Sequence, residues 1–256
     1  MGIINLSHDS FYEGSVDFNY IDKQVKSSSY CDIVDIGAET TKPFSNQIDE
    51  PEEIARLQHI NVKELFSNKY ISIDSYKYNV IKYALNNGFN MINDISAGGV
   101  NNENLELSAE YDVPIVLMHM KGLPKNMQIN PKYNNVIDEI VSFFESKIEA
   151  CLDIGVKSEH IIIDPGLGFG KTKIHNYKII NNISKFKSLG YPVLIGLSRK
   201  SFLSFDDDLP NDRMYSSLSA MSISIYNGAD IIRVHDIEET YKALQIVDRL
   251  KIHSTN

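Results

Sequence analysis

His160 to Lys171 reads HIIIDPGLGFGK. Three consecutive isoleucines with no polar alternation are the pattern of a strand buried on both faces, and Pro165 stops it, leaving Asp164 at the strand's end. Gly166, Gly168 and Gly170 then let the backbone turn tightly and approach a ligand before a helix begins near Lys173. Two phosphate loops fail here on spacing. A Walker A loop needs glycine five positions before Gly170, where Pro165 stands, and a dinucleotide fingerprint needs a third glycine placed differently from Gly170. What remains is a buried strand that delivers one carboxylate to a rim.

The same grammar recurs along the chain. MGIINL, CDIVDIG, YISID, MINDI, VPIVLMHM, the organising stretch, PVLIGLSRK and ADIIRVHD are eight short apolar runs, each followed by a loop and then an amphipathic or apolar helical segment. Residues 50–66 read as one helix, with Ile54, Leu57, Val62 and Leu65 at roughly helical spacing and Glu50, Glu52 and Glu53 complementing its positive start. Eight strand–helix units with no linker between them predict an α/β fold, a (β/α)8 TIM barrel forming a single domain over residues 1–256. A doubly wound open sheet is the runner-up, since only the count of eight separates the two.

Composition bounds the function. Apolar residues make up 43% and charged residues 23% of the 256, and 25 Lys plus Arg against 34 Asp plus Glu give a net charge of -9. That balance argues against a general nucleic-acid or anionic-membrane binder, so an anionic substrate must be met by local basic groups. Cys31 and Cys151 lack metal-ligand spacing and read as free thiols of a reducing compartment. No apolar run approaches the ~20 residues of a membrane span, and a cytoplasmic protein is expected.

Asn5, Asp35, Asp74, Asn93, His119, Asp164, Lys200 and Arg233 each fall at or just past a strand's C-terminal end, the rim where barrel enzymes build their sites. A single strand-end acid most often caps the next helix or binds loop amides, and Asp35 and Asp94 are candidates for that role. The set as a whole is harder to explain so. Asp74 and Asp164 beside Asn93 suit a flat ligand with a guanidine-like N–C–N edge, such as a pterin or purine, and Lys200 suits a ring carbonyl. Arg233 and His235, near the start of the last helix, form a small basic site in an otherwise acidic protein and suit phosphate groups. Asn5 suits a Mg²⁺ ion completed by phosphate oxygens and water.

Taken together, MGIINLSHDSF, DIGAETTKP, ISIDSYK, NDISAGG, MHMKGLPKNMQ, DPGLGFGK, GLSRKSF and RVHD, in that order over nearly the whole chain, closely resemble the dihydropteroate synthase family. The resemblance implies a homodimeric transferase of folate synthesis, a sulfonamide target. It joins 6-hydroxymethyl-7,8-dihydropterin diphosphate to 4-aminobenzoate, with diphosphate leaving first and the amine attacking the resulting pterin cation. By motif position, Thr41, Asp74, Asn93, Asp164 and Lys200 look like pterin-binding residues. Asn5, Arg233 and His235 look like the diphosphate set, with Asn5 the Mg²⁺ ligand. Thr41, Pro43, Phe169 and Ser198 look like the aminobenzoate set, and Lys200, Asp164, Arg233 and His235 like the catalytic group. A methyltetrahydrofolate-type methyltransferase or a non-catalytic pterin-binding barrel are the alternatives, disfavoured by GLSRKSF and by retention of Lys200, Arg233 and His235.

The chain departs from the family at two loops. Ser7, His8 and Ser15 replace residues of a Thr-Pro-Asp-Ser-Phe and Gly-Gly pattern, while Lys42 and Phe44 stand where the family usually has Arg and Gly. A ring at Phe44 is expected to weaken aminobenzoate binding, and sulfonamide binding more. The chain also begins at the first barrel strand, without the upstream hairpin usual in the family.

Overall fold

The computed structural model describes residues 1–6, 11–12, 15–16, 18–39, 48–122, 127–205 and 209–253. The eight apolar runs form eight parallel barrel strands: β1 (Gly2–Asn5), β2 (Ile33–Gly37), β3 (Tyr70–Asp74), β4 (Met91–Asp94), β5 (Ile115–Met118), β6 (Ile161–Asp164), β7 (Leu194–Gly196) and β8 (Ile231–Arg233). Strands β1 to β6 pair in sequence order, and β7 pairs with β8. Two parallel bridges complete the circle, Ile163 with Val193 between β6 and β7, and Gly2 with Val234 between β8 and β1. The seam has its own ladder, with the Ile3 N–H donating to the Val234 carbonyl at 2.9 Å and the Val234 N–H to that of Met1 at 3.0 Å. A last strand that pairs with the first excludes the open sheet.

The principal helices are α1 (Phe18–Ser28), α2 (Glu50–Leu57), α3 (Tyr78–Asn86), α4 (Glu103–Tyr111), α5 (Val136–Ile154), α6 (Lys173–Asn181), α7 (Met214–Tyr226) and α8 (Ile237–His253). Their starts carry the expected chemistry. Asp49 accepts the Glu52 N–H, Asn135 that of Ile137, and Thr172 forms a capping box with His175. The helix read over 50–66 is in fact two pieces, Glu50–Leu57 and Val62–Leu65. Leu57, Ile60, Val62 and Phe66 are all buried. On a continuous helix Ile60 and Val62 would point to opposite sides, so a break is what buries all four. The short antiparallel pair of Phe11–Tyr12 with Ser15–Val16 sits in the loop after β1.

Because side chains alternate along a strand, each strand serves two cores. Ile4, Val34, Ile36, Ile71, Ile73, Ile92, Ile115, Leu117, Ile161, Ile163, Val193 and Ile195 face outward and pack with the helices in one large cluster. Met91, Val116, Ile162 and Leu194 point inward and, with Met1, Ile33 and Ile231, close the barrel floor. The reading of both strand faces as apolar holds for this lower half. Two residues further along, the inward positions of β2, β3, β4, β6 and β8 are polar or charged.

Candidate functional site

Those next inward positions are Asp35 on β2, Asp74 on β3, Asn93 on β4, Asp164 on β6 and Arg233 on β8. Strand register sets Asp74 directly beside Asn93, and Met118 beside Asp164. Closure of the barrel then brings β8 across to the acids of β2 and β3. The Arg233 guanidinium donates from Nε to Asp35 Oδ2 and from Nη2 to Asp74 Oδ2, both at 2.6 Å, and Asn93 Nδ2 donates to the same Asp35 oxygen at 3.0 Å. Asp35 is fully buried, with Asp74 and Asn93 nearly so.

One guanidinium thus holds two buried carboxylates, an arrangement that leaves a charge uncompensated if any member is lost. Burial works against the Arg233 charge, but Asp35 and Asp74 outweigh it and hold the group above the usual arginine range. Burial pushes the Asp74 carboxyl up to about 7 against the pull of Arg233, with the neighbouring Asp35 charge adding to the rise. Asp35 Oδ1 has no hydrogen-bond partner among the described residues. A buried acceptor of that kind is rare in folded proteins.

Asp164 is the second pole. Its Oδ1 accepts the Gly166 N–H at 2.7 Å, and burial raises its pKa, opposed by the Lys200 charge and that hydrogen bond. Lys200 lies over the Phe169 ring, 4.6 Å from its centroid, and donates to the Leu167 carbonyl. Burial lowers the Lys200 ammonium to about 8, with Asp164 opposing and Arg233 adding to the fall. A lysine so placed changes charge near neutral pH, as groups at reactive sites commonly do.

The remaining expected residues are distributed as follows. Ser198, buried at the end of β7, accepts the His235 backbone N–H at 3.2 Å, and its hydroxyl lies 3.2 Å from His235 Nδ1. Beside that pair Arg199 and Asp236 form an ion pair, which ties the ends of β7 and β8 together. Asn5 stands half-buried at the end of β1, its backbone carbonyl accepting the Tyr20 hydroxyl at 3.1 Å. Among the described residues no group of three or more His, Cys, Asp or Glu side chains could hold a metal by itself. A single amide oxygen such as that of Asn5 nevertheless fits Mg²⁺, which keeps most of its waters and binds through substrate phosphates. Thr41, Lys42, Pro43 and Phe44 lie outside the described residues, as do Ser7 and His8.

Barrel closure, which pairs β8 with β1, carries Arg233 onto Asp35 and Asp74, a contact that its place in the sequence does not announce. One sequence reading needs correction: Asp35 and Asp94, which look alike in sequence as strand-end acids, part company. Asp94 binds its own loop, accepting from the Ser96 N–H and hydroxyl, the Gly98 N–H and Asn104 Nδ2. Asp35 instead belongs to the rim, held there by Arg233 and Asn93. His119 turns away from the rim, its ring edge-on to Phe143 and its Nδ1 3.0 Å from Lys171 Nζ. Lys171, 3% exposed, is buried although nothing in its sequence signals it. A cavity of about 710 Å³ lined by Lys121, Tyr133, Glu139 and His175 lies outside this set, between the starts of α5 and α6.

Residues 1–235 match the family described as pterin binding enzyme. The chain is 38% identical to the dihydropteroate synthase of Haemophilus influenzae over 256 residues, covering 96% of this chain and 91% of that one. It is 36% identical to that of Escherichia coli K12, covering 97% and 90%. Among solved structures, the Yersinia pestis dihydropteroate synthase with a sulfonamide drug complex superposes with a TM-score of 0.89 at 34% identity, covering 98% of this chain and 93% of that one. The Xanthomonas albilineans dihydropteroate synthase in complex with 7,8-dihydropteroate does so at 0.85 and 30%, covering 98% and 92%.

Proposed function

The chain belongs to the pterin-binding enzyme family and is a transferase with the dihydropteroate synthase activity of folate biosynthesis, and we propose that the charged rim described above is where it works. The reaction joins 6-hydroxymethyl-7,8-dihydropterin diphosphate to 4-aminobenzoate. The observation that carries the placement is the convergence of Asp35, Asp74, Asn93 and Asp164 on one end of one barrel, with a buried Asp35 oxygen that has no donor among the described residues.

The rim carboxylates accept the N–H groups of the pterin's amino-pyrimidine edge, and Asn93 both donates and accepts. Lys200 leaves the Leu167 carbonyl to meet the ring carbonyl. Arg233 and His235 hold the diphosphate, with Asn5 as the protein ligand of a Mg²⁺ ion, which when bound offsets the leaving group's charge. Thr41, Pro43, Phe169 and Ser198 receive the aminobenzoate, and sulfonamides compete with it there. The carbon–oxygen bond to diphosphate breaks first, diphosphate taking the electron pair. The pterin cation left behind is favoured by the fixed negative rim, and the aromatic amine then forms the new carbon–nitrogen bond and releases its proton. Electrostatic fixing of this kind, in place before charge develops, is the largest catalytic contribution available to a rigid site.

The protein is further proposed to be a single domain over residues 1–256 and a homodimer. Ile223 and Tyr226 of α7 and Ile246 and Leu250 of α8, on helices that pack together, are all more than half exposed, which supports that face as the contact between copies. A cytoplasmic location is supported by two cysteines kept as free thiols. The function is tested by following dihydropteroate formation by the purified protein before and after EDTA, and again with Mg²⁺ restored. Product that disappears with the chelator and returns with the ion is expected. Undiminished product in EDTA refutes the metal role, and no product under any condition refutes the activity.

A further inference from the structure

In the loop that follows Asp164, every carbonyl from Gly166 to Gly170 has a hydrogen-bond donor. Gly166 O accepts the Phe169 N–H, Leu167 O accepts Lys200 Nζ, Gly168 O accepts Gln128 Nε2, Phe169 O accepts Lys171 Nζ, and Gly170 O accepts the Tyr133 hydroxyl. Two of the five donors are lysines, and they grip the loop from opposite sides. Lys200 does so from the rim. Lys171 does so from behind, buried against the end of β5, where its Nζ lies within hydrogen-bond distance of three groups, His119 Nδ1 at 3.0 Å, the His119 carbonyl at 3.1 Å and the Phe169 carbonyl at 3.0 Å, and burial lowers its own pKa to about 7.

The close approach is built into the backbone. Gly166 and Gly170 have φ of +66° and +64°, and a Cβ on either would collide with the carbonyl of His119 or of Lys121. The His119 N–H in turn donates to the Asp164 carbonyl at 2.9 Å. Lys171 therefore closes a ring that runs from β5 through the glycine loop back to β6.

We propose that Lys171 is a positioning residue for the reaction: by clasping the glycine loop to His119, it holds the loop while Lys200 exchanges the Leu167 carbonyl for the pterin. When Lys200 moves, the loop loses one of its five donors at the place where Asp164 and Phe169 are held. The rear clasp is what keeps Asp164 facing the ligand. While Lys171 carries its proton, Nδ1 is the acceptor of the pair, which requires a neutral ring with the proton on Nε2. Burial, with the Lys171 charge adding to it, lowers the His119 pKa to about 3 and so keeps the ring neutral.

The inference rests on the synthase reading, and the test separates the two. Steady-state kinetics are measured on the unsubstituted protein and on Lys171→Met. A displaced loop raises the KM for the pterin diphosphate, expected at roughly 10- to 100-fold, comparable to what a misplacement of about 1 Å can cost a site. A merely structural role lowers the active fraction, and with it kcat, while leaving KM alone. Should Lys171→Met give no folded protein, His119→Leu decides by the same constant. It removes one acceptor and leaves both carbonyls, so KM rises less but in the same direction, and His119→Asn, which restores an acceptor, brings it back. An unchanged KM in the folded variant, with turnover intact in the unsubstituted protein, overturns the role of Lys171. No turnover in the unsubstituted protein overturns the function instead.

Discussion

The floor and the rim of this barrel are made by the same strands, two residues apart. Ile33 lies on the floor and Asp35 on the rim, and the same step separates Met91 from Asn93, Ile162 from Asp164 and Ile231 from Arg233. Burying a floor side chain fully, as for Met91 and Ile162, contributes about 1.5–3 kcal/mol of hydrophobic stabilisation, and the half-buried Ile33 and Ile231 contribute less. The rim gives no such return, because desolvating its charges roughly cancels their attraction. Along one strand, then, the lower inward residue holds the fold together and the upper one carries chemistry that the fold must tolerate. The outward residues between them, Val34, Ile92, Ile163 and Ile232, serve neither the floor nor the rim, but seat the helices.

Substitutions at matched depths break or sharpen this contrast. The largest effect is expected for Arg233→Met, which leaves Asp35 and Asp74 buried without their cation. Unfolding free energy should fall by about 3–5 kcal/mol, read by urea denaturation, with turnover lost as well. Unchanged stability would mean that the rim charges do not depend on one another.

A smaller effect follows from pH. Lys200, lowered to about 8, carries its proton below that value and loses it as pH rises. The quotient kcat/KM for the pterin diphosphate should therefore fall about tenfold per pH unit above the limb, if the charged lysine is the reactive form. In Lys200→Met the limb should vanish from what activity remains. A limb of the same position in the variant assigns it to another group.

The smallest effect is predicted on the floor. Ile162→Val removes one methyl group from the lower inward layer and should cost about 0.5–1.5 kcal/mol of stability while leaving kcat/KM unchanged. A floor substitution that alters turnover without altering stability would dissolve the division between the two layers.

How legible these layers are in the sequence differs between them. Strands buried on both faces read as unbroken apolar runs, and a polar residue at each end marks where the run reaches the rim, so the eight units and most rim residues are plain from the amino-acid pattern alone. Closure is not. That β8 pairs with β1, and that Arg233 therefore meets Asp35 and Asp74, depends on contacts across 198 and 159 residues of chain. Asp35 and Asp94 look alike as strand-end acids. The distinguishing signal is the local set of donors after Asp94, namely Ser96, Gly98 and Asn104, whereas Gly37, Glu39 and Ser45 stand at those spacings after Asp35. Lys171 gives no signal, since a lysine after glycines reads as a solvent-facing or phosphate-facing group, and only the packing of the loop on β5 buries it. The break at Ile60 is hidden because helical spacing averaged over residues 50–66 conceals one turn that no helix can bury.

The central claim, that the rim acids form the pterin site, is tested most directly by calorimetric titration of a phosphate-free pterin into the unsubstituted protein, Asp164→Ala and Ile162→Val. The account predicts one saturable site in the unsubstituted protein and an equal one in Ile162→Val. In Asp164→Ala the affinity should be weaker by about 1.5–3 kcal/mol, the value of a hydrogen bond to a charged group. Equal affinity in all three would contradict it.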